Sequence, residues 1–245
     1  MPQITKGVYC SNCGAPLQYA ENEAIITCKY CGSTQLIDVS KPFILDHSML
    51  PLKYSEDKID SVLVDWMKEG FIKPKDLVKK SKIELKELKY LPFWILSVKV
   101  TTLFEGVFER LTPPVRKKDS IIKEYNWRVL GRRGASFPTK EFEIPLSRRV
   151  VFNFIQIPRN SIILNSEINE DEAKRTAQQE IEAHHKILVL NSVDKLIEFK
   201  NEFEFNQTVY LHAPLWFIVY KYKNELFNVI IDGNSGTVIK GEFPF

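Results

Sequence analysis

Two stretches of the chain carry apolar residues at the spacing of a one-sided helix. The first follows Ser55, ends at Gly70 and has on one face Ile59, Val62, Leu63, Trp66 and Met67. The second begins at Asn169 and Glu172, which resemble a capping box, and runs to about His185 with an inward face of Ala173, Ala177, Ile181 and Leu188. Pro74 suits the first position of a further helix, which would carry Leu77, Val78, Leu85 and Leu88.

Elsewhere the pattern alternates, which is typical of half-buried strands. A long strand is predicted from Pro92, with inward residues Trp94, Leu96, Val98, Val100 and Phe104. A similar strand begins at Pro214, and aligning Trp94 with Trp216 also aligns the two prolines and Lys99 with Lys221. The likeness indicates either an internal duplication or simply two similar edge strands.

The last thirty residues predict an antiparallel meander of strands over 216–223, 226–231 and 237–240, with turns at Asn224-Glu225 and at 232–236. Helices segregated from antiparallel strands favour an α+β fold. Four regions are expected: a small cysteine-containing module over 1–40, a linker over 41–54, helices with long strands over 55–150, and a helix with the meander over 151–245.

Composition places few further limits. The chain has 245 residues, 44% of them hydrophobic, which suits an ordinary globular protein. No apolar run approaches the ~20 residues of a membrane-spanning helix, and the first twenty residues do not read as a signal peptide. We therefore expect a soluble, cytoplasmic protein without a membrane span.

All four cysteines lie near the N-terminus, as Cys10-x-x-Cys13-Gly and Cys28-x-x-Cys31-Gly. Two such turns complete a closed tetrahedral thiolate site, and the glycines allow the tight backbone that such turns need. The pattern predicts one structural Zn²⁺ in a zinc ribbon. Iron in the same geometry, or two disulfides in an oxidising compartment, are the alternatives.

A basic segment lies between Val115 and Val150, with ten Lys and Arg against four Asp and Glu. Interleaved aromatic residues could stack on bases while the cations meet phosphates. The candidate nucleic-acid-binding residues are Arg116, Lys117, Lys118, Tyr125, Trp127, Arg128, Arg132, Arg133, Arg148 and Arg149. The alternative is a solvated hairpin whose charges protect its edges.

The residues do not indicate catalysis. Every cysteine is committed to the metal, and the chain has no phosphate-binding glycine loop. His184 and His185 are adjacent, so they point in different directions on a helix and cannot form a two-ligand clamp. His184 falls on the apolar side and is expected to be a boundary histidine with satisfied hydrogen bonds.

Several motifs together resemble one family. They are the Cys-x-x-Cys-Gly ribbon, the strand start Tyr90 to Trp94, the stretch Ala213-Pro214-Leu215-Trp216 with Tyr220 and Tyr222, and the turn over 232–236. The chain is similar to the prokaryotic TFIIB-type zinc-ribbon-containing proteins. That family has no agreed biochemical activity, so the resemblance implies a ribbon and a body without naming a reaction.

The sequence thus favours a non-catalytic adaptor or scaffold that binds a protein partner through the ribbon and the α+β body. Nucleic-acid binding through the basic segment, as a transcription or translation accessory, is the alternative hypothesis.

Overall fold

The computed structural model describes residues 8–17, 19, 23–37, 46–109, 112–133, 137–139 and 142–244. Its helices are α1 (Glu56–Lys68), α2 (Leu77–Lys80) and α3 (Glu170–Leu190). Its strands are β1 (Val8–Tyr9), β2 (Pro16–Leu17), β3 (Ile25–Thr27), β4 (Thr34–Leu36), β5 (His47–Met49), β6 (Lys82–Phe108), β7 (Val115–Leu130), β8 (Val150–Val151), β9 (Ile162–Ile163), β10 (Lys195–Tyr222), β11 (Glu225–Asp232) and β12 (Val238–Gly241). Helices and antiparallel strands are both present, as the sequence predicts. None of the helices in these ranges is both long and apolar enough to cross a membrane.

The chain divides into two units that are not consecutive in sequence. Unit 1 comprises Met1–Phe93, Leu130–Ile168 and Tyr210–Phe245, and unit 2 comprises Trp94–Val129 and Asn169–Val209. The predicted regions 55–150 and 151–245 each contribute to both units, because β6 and β10 continue from one unit into the other. Alternating apolar residues predicted parts of β6 and β10, but such a local pattern could not show that the two ends of each strand pack in different units.

Unit 1 contains the predicted meander. β10 pairs with β11 antiparallel, with Trp216 opposite Ile231 and Tyr222 opposite Glu225, and β11 pairs with β12. The β10–β11 turn is Lys223-Asn224, one residue earlier than predicted, and both residues have positive φ, as a two-residue type I′ turn requires.

The region predicted as a linker over 41–54 is partly a strand. β5 pairs parallel with β10, with Tyr210 opposite His47, and antiparallel with β8. A second parallel pair joins β9 to β6. The sequence pattern missed β5 because a three-residue strand is too short to show alternation.

The core of unit 1 lies between α1 and the β10–β11 hairpin. Ile59, Leu63 and Met67 are the buried residues of α1, as its helical spacing predicts. They belong to one apolar cluster with residues of the hairpin and of β6, which include Leu88, Tyr90, Trp216, Ile218, Tyr220, Tyr222 and Val229. The indole N–H of Trp216 donates to the Tyr54 carbonyl at 3.0 Å, so this buried polar group is satisfied.

The helix predicted to begin at Pro74 is correct only for a single turn, which starts later, at Leu77. α2 ends at Lys80 and β6 starts at Lys82, so Leu85 and Leu88 are strand residues. Leu88 joins the unit 1 core, and Lys86 contacts Glu56 at 3.1 Å and Asp60 at 2.8 Å on α1. Tertiary contacts of this strand therefore override a local sequence that also suits a helix.

Unit 2 places α3 against the paired strands β6 and β7. The Asn169 side chain accepts from the Glu172 N–H at 2.9 Å, which confirms the predicted start of the helix. Its buried residues are Ala173, Ala177, Ile181, His185 and Val189. The predicted inward face is thus correct up to Ile181, but it continues through His185 and Val189 rather than Leu188. Val189 packs in a small cluster with Phe104 and Val193.

A glycine lies against each of the two prolines that the sequence aligns. The Gly131 N–H donates to the Pro92 carbonyl at 2.8 Å, and the Gly233 N–H donates to the Pro214 carbonyl at 2.8 Å. A Cβ on Gly131 would lie 3.0 Å from Pro92 Cγ, and one on Gly233 would lie 2.9 Å from Pro214 O. Both glycines follow the strand that pairs with the proline strand, and only glycine permits such close approach.

Candidate metal centre

The two cysteine turns have the same backbone hydrogen bonds. The Cys10 N–H donates to Ala15 O and the Gly14 N–H to Cys10 O; in the second turn the Cys28 N–H donates to Ser33 O and the Gly32 N–H to Cys28 O, all at 2.8–2.9 Å. Gly14 and Gly32 have φ of 71° and 75°, in the left-handed region that glycine adopts without strain. The glycine after each cysteine pair therefore has the role that its position predicts.

These turns bring the four sulfur atoms together. Cys10 Sγ lies 3.6 Å from Cys31 Sγ, Cys13 Sγ lies 3.7 Å from Cys28 Sγ, and all four lie within 4.8 Å of one another. A tetrahedral ion with metal–sulfur bonds of about 2.3 Å needs sulfur–sulfur separations of about 3.8 Å. The cluster has the dimensions of a four-thiolate metal site, and all four predicted ligands belong to it.

Neighbouring groups direct hydrogen-bond donors at the sulfurs. The Tyr30 N–H donates to Cys28 Sγ at 3.4 Å, and Asn12 Nδ2 donates to Cys31 Sγ at 3.5 Å. Hydrogen bonds from Ser33 and Asn12 lower the pKa of Cys31 to about 5. Such donors favour thiolates, the form in which cysteine binds a metal.

We call the described residues between 8 and 37 the cysteine module. Its apolar core is small and consists of Cys10, Leu17, Ile26 and Cys28, with partly buried Val8, Ala15 and Ile37 around them. Tyr9, Tyr19 and Tyr30 remain 63%, 39% and 58% exposed. So small a core depends on a crosslink such as a metal.

The cysteine module is joined to the rest of unit 1 by hydrogen bonds. The Ala24 and Ile25 N–H groups donate to Ser166 O at 2.8 and 3.2 Å, and the Thr27 N–H donates to Asn165 Oδ1 at 2.9 Å. Phe154 packs so closely on Gly32 that a Cβ there would lie 2.4 Å from its own Cβ. The module is therefore seated on unit 1 and is not an appendage on a free linker.

Two histidines extend the hydrogen bonds between the cysteine module and the rest of unit 1 into the protein interior. Thr34 Oγ1 lies 2.9 Å from His47 Nδ1, His47 Nε2 lies 2.8 Å from His212 Nδ1, and His212 Nε2 lies 2.9 Å from the Leu164 carbonyl. Because a carbonyl only accepts, His212 Nε2 carries a proton, and each preceding bond is then directed from Thr34 toward Leu164. Both imidazoles are neutral in this chain of bonds.

Burial keeps these imidazoles neutral. His212 is fully buried, and burial lowers its pKa to about 4. Burial, together with the neighbouring His212, lowers the pKa of His47 to about 2. Sequence reasoning missed the pair because 165 residues separate its members. The only sequence signal is the occurrence of a histidine in each of two strands.

The predicted nucleic-acid-binding residues are divided between the units, and acids engage many of them. In unit 2, Arg116 forms an ion pair with Glu105, Lys118 lies 3.8 Å from the same carboxylate, and Lys117 lies 3.0 Å from Asp119. Tyr125 and Trp127 face α3: the Tyr125 hydroxyl lies 2.9 Å from His185 Nε2, and the Trp127 indole donates to Glu180 at 2.7 Å. Arg128 is half-buried on β7.

The other four residues of that set lie in unit 1. Arg132 lies 2.9 Å from Glu167 and 3.6 Å from Glu23, and the Arg133 backbone N–H donates to Glu167. Arg149 lies 3.1 Å from Asp46, and Arg148 donates to Asn234 at 3.5 Å. Cations engaged in such pairs offer less to phosphates, and nucleic-acid binding by these residues stays a prediction.

The expectation for the adjacent histidines of α3 is reversed. His184 is exposed, whereas His185 is fully buried. Thr102 Oγ1 lies 2.6 Å from His185 Nδ1 and donates to Asn201 Oδ1 at 2.6 Å. This network satisfies His185 between two polar side chains, and burial lowers the pKa of His185. After Ile181, the buried face of α3 continues one residue later than predicted, at His185 instead of His184. The spacing of Ala173 and Ala177 fits either continuation, so it could not distinguish them.

Comparisons of the chain with protein-family models, with curated proteins and with solved structures found no match. The resemblance to the TFIIB-type zinc-ribbon proteins therefore stays a prediction from the motifs.

Proposed function

We propose that this chain is a non-catalytic adaptor that holds one structural Zn²⁺ in an N-terminal zinc ribbon and binds a protein partner through that ribbon and the body of unit 1. One observation carries the proposal: the cysteine module has a closed set of four sulfurs and exposed aromatic side chains on a firmly seated backbone. A closed ligand set leaves a metal no open position for substrate.

The exposed tyrosines support the choice of a protein partner. Tyr9 and Tyr30 are mostly exposed, although aromatic side chains of this size are the ones that a small core would most readily use. Tyrosine is enriched at the centres of protein interfaces, because it offers a large contact area with few rotatable bonds. A metal-held backbone would present these side chains without ordering a loop on binding.

The metal assignment is tested by elemental analysis of the purified chain. We expect about one zinc per chain, lost in the Cys28→Ser/Cys31→Ser variant and kept in a Ser11→Ala variant, which alters the first turn without removing a ligand. Visible absorbance with one iron per chain would contradict zinc. Absence of any metal from both wild type and control would contradict the ribbon.

The adaptor assignment is tested by crosslinking in lysate of the native host, with and without nuclease. We expect a defined protein that crosslinks to wild type and to Ser11→Ala after nuclease treatment but not to Cys28→Ser/Cys31→Ser. A wild-type chain that remains a monomer under all conditions would contradict the proposal. Partners lost on nuclease treatment would favour the nucleic-acid alternative.

A further inference from the structure

A groove of about 340 Å³ lies between the cysteine module and the part of unit 1 on which it is seated. Its module wall includes Leu17 and Ile26, and its other wall includes Phe154 and Ile163. Lys29 and Arg159 also line it, one from each wall. We call it the Lys29–Arg159 groove. Its volume is sufficient for one or two side chains of a bound peptide.

The uncharged polar groups of this groove already have partners. Asn165 accepts from the Thr27 N–H and donates to Glu23 at 2.9 Å, the Thr27 hydroxyl lies 3.1 Å from the Thr34 hydroxyl, and the Ser161 hydroxyl donates to Pro158 O at 2.5 Å. The bonds of Asn165 join the two walls, and the two hydroxyls bond within their own walls, so these groups are not free to select a ligand. Selection therefore falls to the cations and the apolar walls.

Lys29 and Arg159 are the free charges of the groove. Both are exposed, and no carboxylate within the described ranges forms an ion pair with either of them. Lys29 Nζ lies over the ring of Tyr30, 5.3 Å from the ring centroid. Two cations on opposite walls, neither of them paired with a carboxylate of the described residues, create a positive potential that attracts a negatively charged ligand.

The walls decide between kinds of anionic ligand. Among the described residues that line the groove, Leu17, Ile26 and Ile163 are aliphatic, and the aromatic Phe154 packs on Gly32; the exposed ring of Tyr30 contacts Lys29 but is not part of the lining. Single-stranded nucleic acid stacks successive bases on several exposed aromatic faces, and the walls of this groove do not offer such a series. Aliphatic walls beside two cations are complementary instead to an apolar side chain flanked by carboxylates.

We propose that the Lys29–Arg159 groove binds an acidic peptide segment of the partner, with an apolar side chain between the walls and carboxylates on Lys29 and Arg159. The proposal rests on the adaptor function and names the chemistry of its partner. It also gives the seated geometry of the module a purpose, because the groove exists only while the module lies on unit 1.

Fluorescence anisotropy with the zinc-loaded full chain tests this proposal. The probes are short fluorescein-labelled peptides in which Asp and Glu flank a central Leu or Phe, the same peptides with Asn and Gln in place of the acids, and a labelled oligothymidine. We expect the acidic peptides to bind saturably, and Lys29→Glu/Arg159→Glu to raise their Kd by about tenfold or more. A Lys186→Glu variant, which reverses an exposed charge on α3, should leave Kd within about twofold.

Three results would overturn the proposal: amide peptides that bind as tightly as acidic ones, a double variant with unchanged Kd, or oligothymidine that alone binds in a way that depends on Lys29 and Arg159. Zinc content and thermal unfolding of the double variant, if equal to those of Lys186→Glu, exclude loss of folding as the cause. The adaptor function is scored separately by the crosslinked partner. A partner lost with Cys28→Ser/Cys31→Ser but kept by Lys29→Glu/Arg159→Glu would retain the adaptor and reject the groove.

Discussion

Units 1 and 2 each pack a long helix on strands, α1 in unit 1 and α3 in unit 2, but the side chains between helix and strands differ in kind. In unit 1 the helix contributes Ile59, Leu63 and Met67 to an apolar cluster that includes Trp216 and Tyr220. In unit 2 the helix contributes two small residues, Ala173 and Ala177, two aliphatic residues, Ile181 and Val189, and the polar His185, which bonds to Thr102 and Tyr125. The unit 1 interface is bulky and apolar; the unit 2 interface combines small and aliphatic residues with a polar network.

The difference shows two ways of fixing a helix on a sheet. Burial of large apolar side chains stabilises unit 1 without requiring a particular alignment of donors and acceptors. A buried polar network is favourable only when each bond is made, so it defines one position of α3 on its strands. The helix interface of unit 1 thus rests on apolar packing, whereas the polar network of His47 and His212 lies elsewhere in the same unit.

Metal removal should produce the largest difference in amide exchange between unit 1 and unit 2. The cysteine module lies in unit 1, and a structural zinc supplies on the order of 10 kcal/mol of apparent binding free energy. After chelation we expect fast amide exchange throughout the described residues between 8 and 37, including Ile25 and Thr27, whose N–H groups bond to Ser166 and Asn165. Exchange in α3 should not change. Protected module amides in metal-free protein would contradict this expectation.

Truncation of one matched core residue in each unit should produce a smaller difference, measured as the loss of unfolding free energy. Ile59 on α1 and Ile181 on α3 are both fully buried, and Ile→Ala at such sites costs about 2–5 kcal/mol of unfolding free energy. We expect Ile59→Ala at the upper end, because its bulky neighbours cannot close the cavity, and Ile181→Ala at the lower end. Urea unfolding measures both.

The control for this pair is Ile187→Ala. Ile187 lies on α3 and is 58% exposed, so its truncation should change the unfolding free energy by about 0.5 kcal/mol or less. Equal costs for Ile59 and Ile181 would remove the proposed difference in packing between the units.

Acid should act on the buried histidines of both units. Burial lowers the pKa values of His47, His212 and His185, so the unfolded chain takes up these protons first as pH falls through about 6.5. Stability is therefore full above that pH and is lost below it, by roughly 1.4 kcal/mol per pH unit for each histidine, until pH falls below the folded-state pKa of that histidine, which is about 4 for His212. Urea unfolding between pH 7 and pH 5 measures this slope.

Variants assign the slope to the units. His212→Gln should remove one histidine's share from unit 1, His185→Gln should remove one from unit 2, and exposed His184→Gln should leave the slope as in wild type. Stability that does not depend on pH over this range would contradict the neutral tautomers.

The smallest effects are expected at the two glycines beside the aligned prolines. A Cβ on Gly131 would lie 2.7 Å from Ser166 Oγ, and one on Gly233 would lie 2.8 Å from Leu52 Cδ1. Overpacking of this kind costs about 1–3 kcal/mol, so Gly131→Ala and Gly233→Ala should lower the midpoint of thermal unfolding by similar amounts. A neutral effect at one glycine alone would break the correspondence that an internal duplication predicts.

Local physical chemistry explains what the sequence predicts correctly. Each of these features depends on residues that are close in sequence. They are the two Cys-x-x-Cys turns, the cap at Asn169 and the apolar face of α1. The C-terminal meander is equally local, since Tyr222 and Glu225 close a two-residue turn. Spacing alone is sufficient for such features.

Long-range contacts explain what it does not predict. The start of β6 at Lys82 depends on contacts with α1, and β5 exists only as a partner of β10 and β8. The neutral pair His47–His212 and the acids that engage Arg132 and Arg149 likewise come from distant parts of the chain. No periodicity within one segment carries this information.

The packing of α1 against strands that lie far along the chain has a consequence for synthesis on the ribosome. Trp216 packs over the start of α1 through a hydrogen bond to Tyr54, 162 residues earlier. At usual translation rates, the apolar face of α1 waits on the order of ten seconds for its partner strands to emerge. An exposed apolar helix face is prone to aggregation, so we expect the yield of folded protein to rise with chaperones that bind apolar segments of nascent chains.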